Sequence, residues 1–212
     1  RMEAVGFFEL NGLPNNRMED WKYSNINKVI KKDWVLENNT DELVQNQIKL
    51  NGVPPKDGSI QVSLINGKIY KQSSYPNSSN VVVCSLSEAS SKYQSLLEKH
   101  LGKHAILNSG LTALNTALIS DGLFIYVPDN TIVNEPIYIN NKYQPGELSL
   151  FHPRSLIIIG ENSNATIIEH HKNNPNTTKG AYFANSIAEV SVDENSQLKQ
   201  YILQNDNSED SN

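Results

Sequence analysis

Cysteine is almost missing from this chain: Cys84 is the only one in 212 residues. No disulfide can form within it, and the composition fits a reducing compartment. Long apolar runs are missing too. Stretches such as Leu156 to Ile159 fall far short of the ~18 residues that suggest a membrane span. No long apolar segment follows the N-terminus, so no signal peptide is expected. Positive charge is scarce: 18 Lys and Arg against 23 Asp and Glu give a net charge of −5. That excludes the clustered basic surface of a dedicated nucleic-acid binder and a polybasic membrane anchor. The phosphate-binding patterns G-x-x-x-x-G-K-[ST] and G-x-G-x-x-G are absent, as is the G-x-S-x-G nucleophile elbow. Any coupling to ATP is therefore expected from a partner.

What is present is globular, with 38% apolar and 19% charged residues. The first third reads as mixed and partly helical. Met2, Val5 and Phe8 have helical spacing, stopped by Asn11-Gly12. Thr40 caps a predicted short helix carrying Leu43, Val44 and Ile48. In "SIQVSLINGKIYKQSS", Ile60, Val62 and Leu64 alternate and Asn66-Gly67 suits a type I′ turn, which predicts a hairpin near 60–71. Val81 to Cys84 reads as a short buried strand. Ser85 and Glu88 form a capping-box pattern, and Leu86, Ala89, Tyr93, Leu96, Leu97 and Leu101 mark one helical face that Gly102 ends. A further helix is predicted through Leu111, Leu114 and Leu118.

After Asp121-Gly122 the texture changes to short strands rich in Ile, Val and Tyr. "FIYVPDNTIVNEPIYI", "LIIIGENSNATIIEHH" and "AEVSVDENSQLKQYILQN" align so that Asn130, Asn162 and Asn195 coincide. Such spacing suggests stacked units that bury one another's apolar faces, with the asparagines at left-handed corners. The predicted fold is mainly β: a right-handed parallel β-helix over 121–212, preceded by an α/β, partly helical region over 1–120. "QNDNSEDSN" does not read as a terminal cap. The natural protein is accordingly expected to continue, and an open last coil would offer a sheet edge for a homodimer.

Several stretches carry a family resemblance. "GLPNNRMEDWKYSNI" resembles the N-terminal "GLP…R…E-x-WKY" signature of the SufB/SufD family of SUF iron–sulfur cluster assembly subunits, and Trp21-Lys22-Tyr23 favours its SufD branch. "LNTALISDGLFIYVPDNTIVNEPIYI", "HPRSLIIIGENSNATIIEHH" and "YFANSIAEVSVDENSQLKQYILQN" resemble successive later parts of the family in the right order. The resemblance implies a cytoplasmic, or in plants plastid, scaffold that is not itself an enzyme. It pairs with a SufB-like subunit and works with a SufC-like ATPase, and an iron–sulfur cluster belongs to the full complex. It also implies that the segments handling partners and clusters lie towards the family's C-terminus, so no residue of this chain is assigned as catalytic, cofactor-binding or metal-ligating.

The tempting residues each have a plainer reading. Extended backbone puts Glu169 and His171 on one face and His170 on the other. Two such ligands fall short of the three or four that zinc requires, and only His152 could join them through the fold. Polar residues ending a strand explain them better. Cys84 could take part in sulfur transfer through the helix N-terminus after Ser85, but a buried structural thiol is the ordinary case. Trp21, Lys22 and Tyr23 have the residue types of a single-strand nucleic-acid binder, yet packing of the N-terminal segment onto the domain accounts for them. Arg154 could hold an anion, with a solvated or loop-anchoring arginine as the plainer alternative. Gly122 is expected to supply positive φ. The alternative function is a β-helix carbohydrate-active enzyme, which needs two carboxylates across a groove or a bound Ca²⁺. Glu161, Glu169, Asp193 and Glu194 would be its candidates.

Overall fold

The structure is a computed structural model that describes residues 1–24, 26–28, 30, 34–36, 58–70, 80–144, 148–171 and 181–205. The predicted helix through Leu43, Val44 and Ile48, residue 71 of the hairpin, and the polar stretches 172–180 and 206–212 lie outside the described residues. The elements run α1 (Met2–Asn11), two 3-10 turns (Glu19–Trp21, Ile26–Lys28), β1 (Val35–Leu36), β2 (Ile60–Ile65), β3 (Lys68–Ile69) and β4 (Val82–Ser85). There follow α2 (Leu86–Lys92), α3 (Gln94–His100), α4 (Gly110–Leu118), β5 (Leu123–Val127), β6 (Ile137–Lys142) and β7 (Leu148–Phe151). The described residues close with β8 (Arg154–Ile159), β9 (Asn164–His171), β10 (Ala181–Ala184), β11 (Ile187–Val192) and β12 (Gln197–Gln204).

Local chemistry explains several of these boundaries. Gly12, at φ 63, stops α1 and returns its amide to the Phe8 carbonyl. Asn66 and Gly67, at φ 53 and 80, form the tight turn between β2 and β3. The Ser85 hydroxyl accepts the Glu88 amide at 3.0 Å. The Glu88 carboxylate, however, pairs with Lys92 at 2.7 Å rather than closing the box. The single helix expected from Leu86 to Leu101 is two seven-residue helices with Tyr93 at the break (φ −133, ψ 36). The Tyr93 ring stacks on Phe124, centroids 5.7 Å apart, and that seat stands where a continuous helix would have run.

Three sheets follow the orders β1-β7-β10, β11-β8-β5-β4 and β12-β9-β6-β2-β3. The first is parallel throughout. The second ends in the antiparallel pair β4–β5 and the third in the antiparallel pair β2–β3. Apolar side chains alternate between two cores. Leu123, Ile125, Val127, Ile157 and Ile159 point between the four- and five-stranded sheets and meet Ile60, Val62, Leu64, Ile137, Ile139 and Ile167. Their neighbours Phe124, Leu156 and Ile158 point the other way, onto Leu86, Ala89 and Leu97 of the helices. Unbroken apolar runs such as Leu156 to Ile159 arise because both faces of the sheet are covered. Each such side chain contributes about 1.5–3 kcal/mol on burial.

The mainly β class, with a right-handed parallel β-helix from residue 121, is corrected to mixed α/β with parallel and mixed sheets. Helix accounts for 25% and strand for 39% of the described residues. Strands from well before residue 121 sit in the same sheets as later ones: β1 beside β7, β2 beside β6, β4 beside β5. The hairpin signal at Asn66-Gly67 identified one partner of β2 and concealed the parallel partner on its other edge. A repeat fold is likewise not supported: among the described residues, what recurs is three corners and the strands beside them.

Those corners have a clear physical basis. Asn130, Asn162 and Asn195 all adopt left-handed backbone, φ 57, 54 and 55, and their amides stack. Asn162 Nδ2 donates to Asn130 Oδ1 at 3.2 Å, and Asn195 Nδ2 donates to Asn162 Oδ1 at 3.3 Å. Below them the Ser163 hydroxyl takes the Thr131 amide at 2.9 Å and the Ser196 hydroxyl takes the Ser163 amide at 3.0 Å. Asn162→Ala is expected to lower stability by about 1–2 kcal/mol, because a Cβ-bearing residue without a local amide bond disfavours this backbone. Asn162→Gly removes the same side chain without the φ penalty and should lose less. Urea unfolding midpoints of the two variants measure the difference.

Candidate functional site

The most unusual chemistry lies where the helices meet the sheets. β8 opens with Arg154, and β11, paired in register with it, carries Glu189. Arg154 is 3% exposed and Glu189 1%. A charge in that position needs a partner, and the two form an ion pair with Arg154 Nη2 2.6 Å from Glu189 Oε1. Glu189 also accepts three backbone amides from the turn after α3: Gly102 at 2.8 Å, His104 at 3.0 Å and Ala105 at 3.0 Å. Burial by itself would raise the Glu189 pKa. The amides of Gly102, Ala105 and His104 and the Arg154 charge outweigh it and hold the carboxyl below its ordinary value.

Asn115 of α4, fully buried, completes the junction. Its Oδ1 accepts from Arg154 Nη1 at 3.1 Å, and its Nδ2 donates to the carbonyls of Pro153 at 2.9 Å and Asn185 at 2.7 Å. Asn185 Nδ2 reaches back to the Leu111 carbonyl at 2.8 Å. One network thus ties α4 and the turn after α3 to β8 and β11. Glu189 stays ionised at neutral pH with its acceptors occupied, so the arrangement clamps helices to sheet and offers no proton for transfer.

Sequence reasoning offered Arg154 as an anion binder or, more plainly, as a solvated or loop-anchoring arginine, and the structure buries it, which removes the solvated alternative. It did not single out Glu189. Glu189 is opposite Leu156 in the ladder, so an acid standing where the neighbouring strand has leucine was the available signal. Gly122 was expected to have positive φ and does not. A Cβ there would overlap the Arg154 carbonyl oxygen and come within 2.8 Å of Leu86 Cδ1, so close approach is what requires glycine.

The remaining candidates do not converge. Glu169 and His171 share a face of β9 and pair at 3.0 Å, while His170 is buried on the other side. Glu169 also accepts from Asn141 Nδ2 at 2.7 Å and Gln200 Nε2 at 3.4 Å. His152 is buried with neither ring nitrogen hydrogen-bonded, and burial pushes its pKa down to about 4. Among the described residues no three His, Cys, Asp or Glu gather as a metal site. Trp21 is partly buried, but Tyr23 is 93% exposed, with the Lys22 ammonium 5.7 Å from its ring centroid. Glu161 and Glu194 sit on the asparagine corners, where their carbonyls accept the Asn130 and Asn162 amides.

Cys84 faces the core under α2. Burial, then the nearby Glu88 charge, raises its pKa to about 11, with Lys92 offsetting only part. A thiol held that high is a poor nucleophile. Mild alkylation is expected to leave Cys84 unlabelled in the native protein and to label it fully after denaturation, as read by intact mass.

Comparison with known proteins gives a consistent result. The model of the SufBD protein N-terminal region matches residues 1–139, and that of the SUF system FeS cluster assembly SufBD core domain matches residues 139–212. An iron–sulfur cluster assembly SufBD family protein of Arabidopsis thaliana is 37% identical over 102 residues, 45% of this chain and 22% of that protein. The iron–sulfur cluster assembly protein SufD of Bacillus subtilis is 30% identical over 120 residues, 56% and 27%. A SufBD family protein of Synechocystis is 25% identical over 195 residues, 88% and 42%. The chain spans less than half the length of each of these relatives.

Proposed function

Because the chain belongs to the SufBD family of iron–sulfur cluster assembly, we propose that it acts as a non-catalytic scaffold in a cytoplasmic SUF-type assembly complex. In this reading it pairs with a SufB-like subunit and works with a SufC-like ATPase, and the cluster is the cargo of the complex. The observation that carries the proposal is the pair of family models covering the chain end to end. The junction chemistry supports it. Glu189 and Glu169 are both engaged by partners within the fold, and the Arg154–Glu189 network makes a stiff body of helices and sheets. A stiff subunit can pass an ATPase's movement to a cluster site between subunits without deforming. Among the described residues no helix is long and apolar enough to cross a membrane.

The test is co-expression of the full-length protein with SufB-like and SufC-like proteins from the same source, followed by affinity purification and size-exclusion chromatography. The proposal expects a co-eluting complex with ATPase activity that depends on the SufC-like protein. Full-length protein that elutes alone in the presence of both partners would overturn it.

A further inference from the structure

α1 is fixed along α4 at both ends. The Arg1 guanidinium donates to the Ile119 carbonyl at one end of α4. At the other end, a Cβ on Gly110 would overlap the Gly12 carbonyl oxygen, so glycine is what lets the two backbones come this close. The helices therefore run antiparallel, with Ala4 buried and Phe7 and Phe8 half-buried on the covered side of α1. The opposite side is also apolar. Met2, Gly6 and Leu10 stand one above another at helical spacing, with Val5 beside them. Met2 is 85% and Leu10 88% exposed, and Val5 is exposed too. Nothing lies within 4 Å of a Cβ built on Gly6, so the row has a notch at its centre. A surface helix ordinarily turns polar residues to solvent opposite its apolar stripe. α1 instead carries apolar residues on both sides, the pattern of a helix that is covered on both.

Charge selects what covers it. Glu9 borders the row on one side and Glu3 on the other, both exposed. Among the described residues neither has a salt-bridge or side-chain hydrogen-bond partner. The same acids disfavour a second copy of the chain. Two α1 helices crossing at Gly6 in antiparallel sense set Glu3 of one copy against Glu9 of the other, and in parallel sense each acid against itself. Like charges so placed are destabilising. We propose that the outer face of α1 docks a basic amphipathic helix of another protein. The apolar stripe of that helix covers Met2, Val5 and Leu10, a small residue sits over Gly6, and Lys or Arg on its flanks pair with Glu3 and Glu9. Apolar anchors one turn apart supply the contact, and charge supplies the selectivity. The surface does not depend on the cluster-assembly reading, because it uses only side chains of α1.

The probe is a fluorescein-labelled synthetic peptide of about 18 residues, long enough to hold a helix in water, with a Leu and Ala stripe flanked by Lys. The control has the same stripe flanked by Glu. Each is titrated with the full chain and followed by fluorescence anisotropy. The Lys-flanked peptide should bind saturably, and more weakly as salt rises. The Glu-flanked peptide should bind about tenfold more weakly or worse. Leu10→Asp changes a solvent-facing position, so it should abolish binding while the thermal melt stays close to the parent's. The chain's net charge of −5 attracts any basic peptide to some degree. Glu3→Lys combined with Glu9→Lys isolates the contribution of α1 and should reverse the preference to the Glu-flanked peptide. The proposal is overturned if the Lys-flanked peptide shows no saturable binding up to roughly 100 μM chain, or if the two peptides bind the parent alike. It is equally overturned if Leu10→Asp binds as the parent does, or if the double lysine variant keeps the parent's preference. A chain that dimerises in sedimentation, and that Leu10→Asp returns to a monomer, would also overturn it, since the face then belongs to a second copy.

Discussion

Glu189→Ala is expected to destabilise the chain by about 3–5 kcal/mol, the range for breaking a buried ion pair from one side. The substitution leaves the Arg154 charge uncompensated and frees the amides of Gly102, His104 and Ala105. Whole domains are stable by only about 5–15 kcal/mol, so much of the protein's margin is at stake. With a urea slope of about 2 kcal/mol per molar, the unfolding midpoint should fall by roughly 2 M. Arg154→Met combined with Glu189→Leu should cost clearly less than Glu189→Ala, since removing both charges spares the protein an orphan. The same residue predicts an acid response. Its folded-state pKa lies below the ordinary carboxylate value, so the folded state binds the proton less readily than the unfolded chain does. The stabilisation is complete above the unfolded-state value and is lost as pH falls through the folded one. Urea midpoints measured down the acid range should therefore drop for the parent and stay flatter for Glu189→Gln, relative to each protein's neutral value.

Gly122→Ala should be nearly as damaging, at about 3 kcal/mol, the upper part of the usual overpacking range. The added methyl would meet a backbone oxygen, that of Arg154, and backbone cannot rotate aside as a flexible side chain does. To make room, the entry into β5 must move away from β8, which strains the Asn115–Arg154–Glu189 network. Gly6 is the informative contrast. It lies inside α1 with nothing within 4 Å of a built Cβ, and Gly6→Ala should raise stability by about 0.5–1 kcal/mol through helix propensity. Thermal melts of the two alanine variants should move in opposite directions.

The two glycines also show what could be read from sequence. Features governed by short-range chemistry were legible: the Gly12 stop, the Asn66-Gly67 turn, the Ser85 cap, and the left-handed asparagines at 130, 162 and 195. Each depends on a few adjacent residues whose backbone preferences are strong. Gly122 was legible as a special residue, but the reason assigned was wrong, because the Arg154 carbonyl that excludes a side chain is thirty-two residues downstream. The buried ion pair was missed for a similar reason. Arg154 and Glu189 look like ordinary polar residues until the strand ladder sets β11 against β8. The fold class failed at long range as well. The change of texture at Asp121 is real, but the partners of β1, β2 and β4 are set by sheet pairing over spans that no local pattern reports. The burial of Cys84 and the division of Glu169, His170 and His171 between two faces of β9 were legible too, since burial and strand alternation are short-range properties.

The pairing of β2 with β6 bears on how the polypeptide behaves while it is being made. Ile60, Val62 and Leu64 leave the ribosome long before Ile137 and Ile139, the strand they lie beside in the finished sheet. At about 5–20 residues per second, the roughly 70 residues between Ile65 and Ile137 take about 4–14 s to emerge. Among the described residues, β2 has during that interval only the two residues of β3 to pair with, and the edge that later takes β6 waits for its partner. Recovery of soluble material should therefore respond to translation speed and to chaperones that shield nascent chains, even where the completed protein is fully stable.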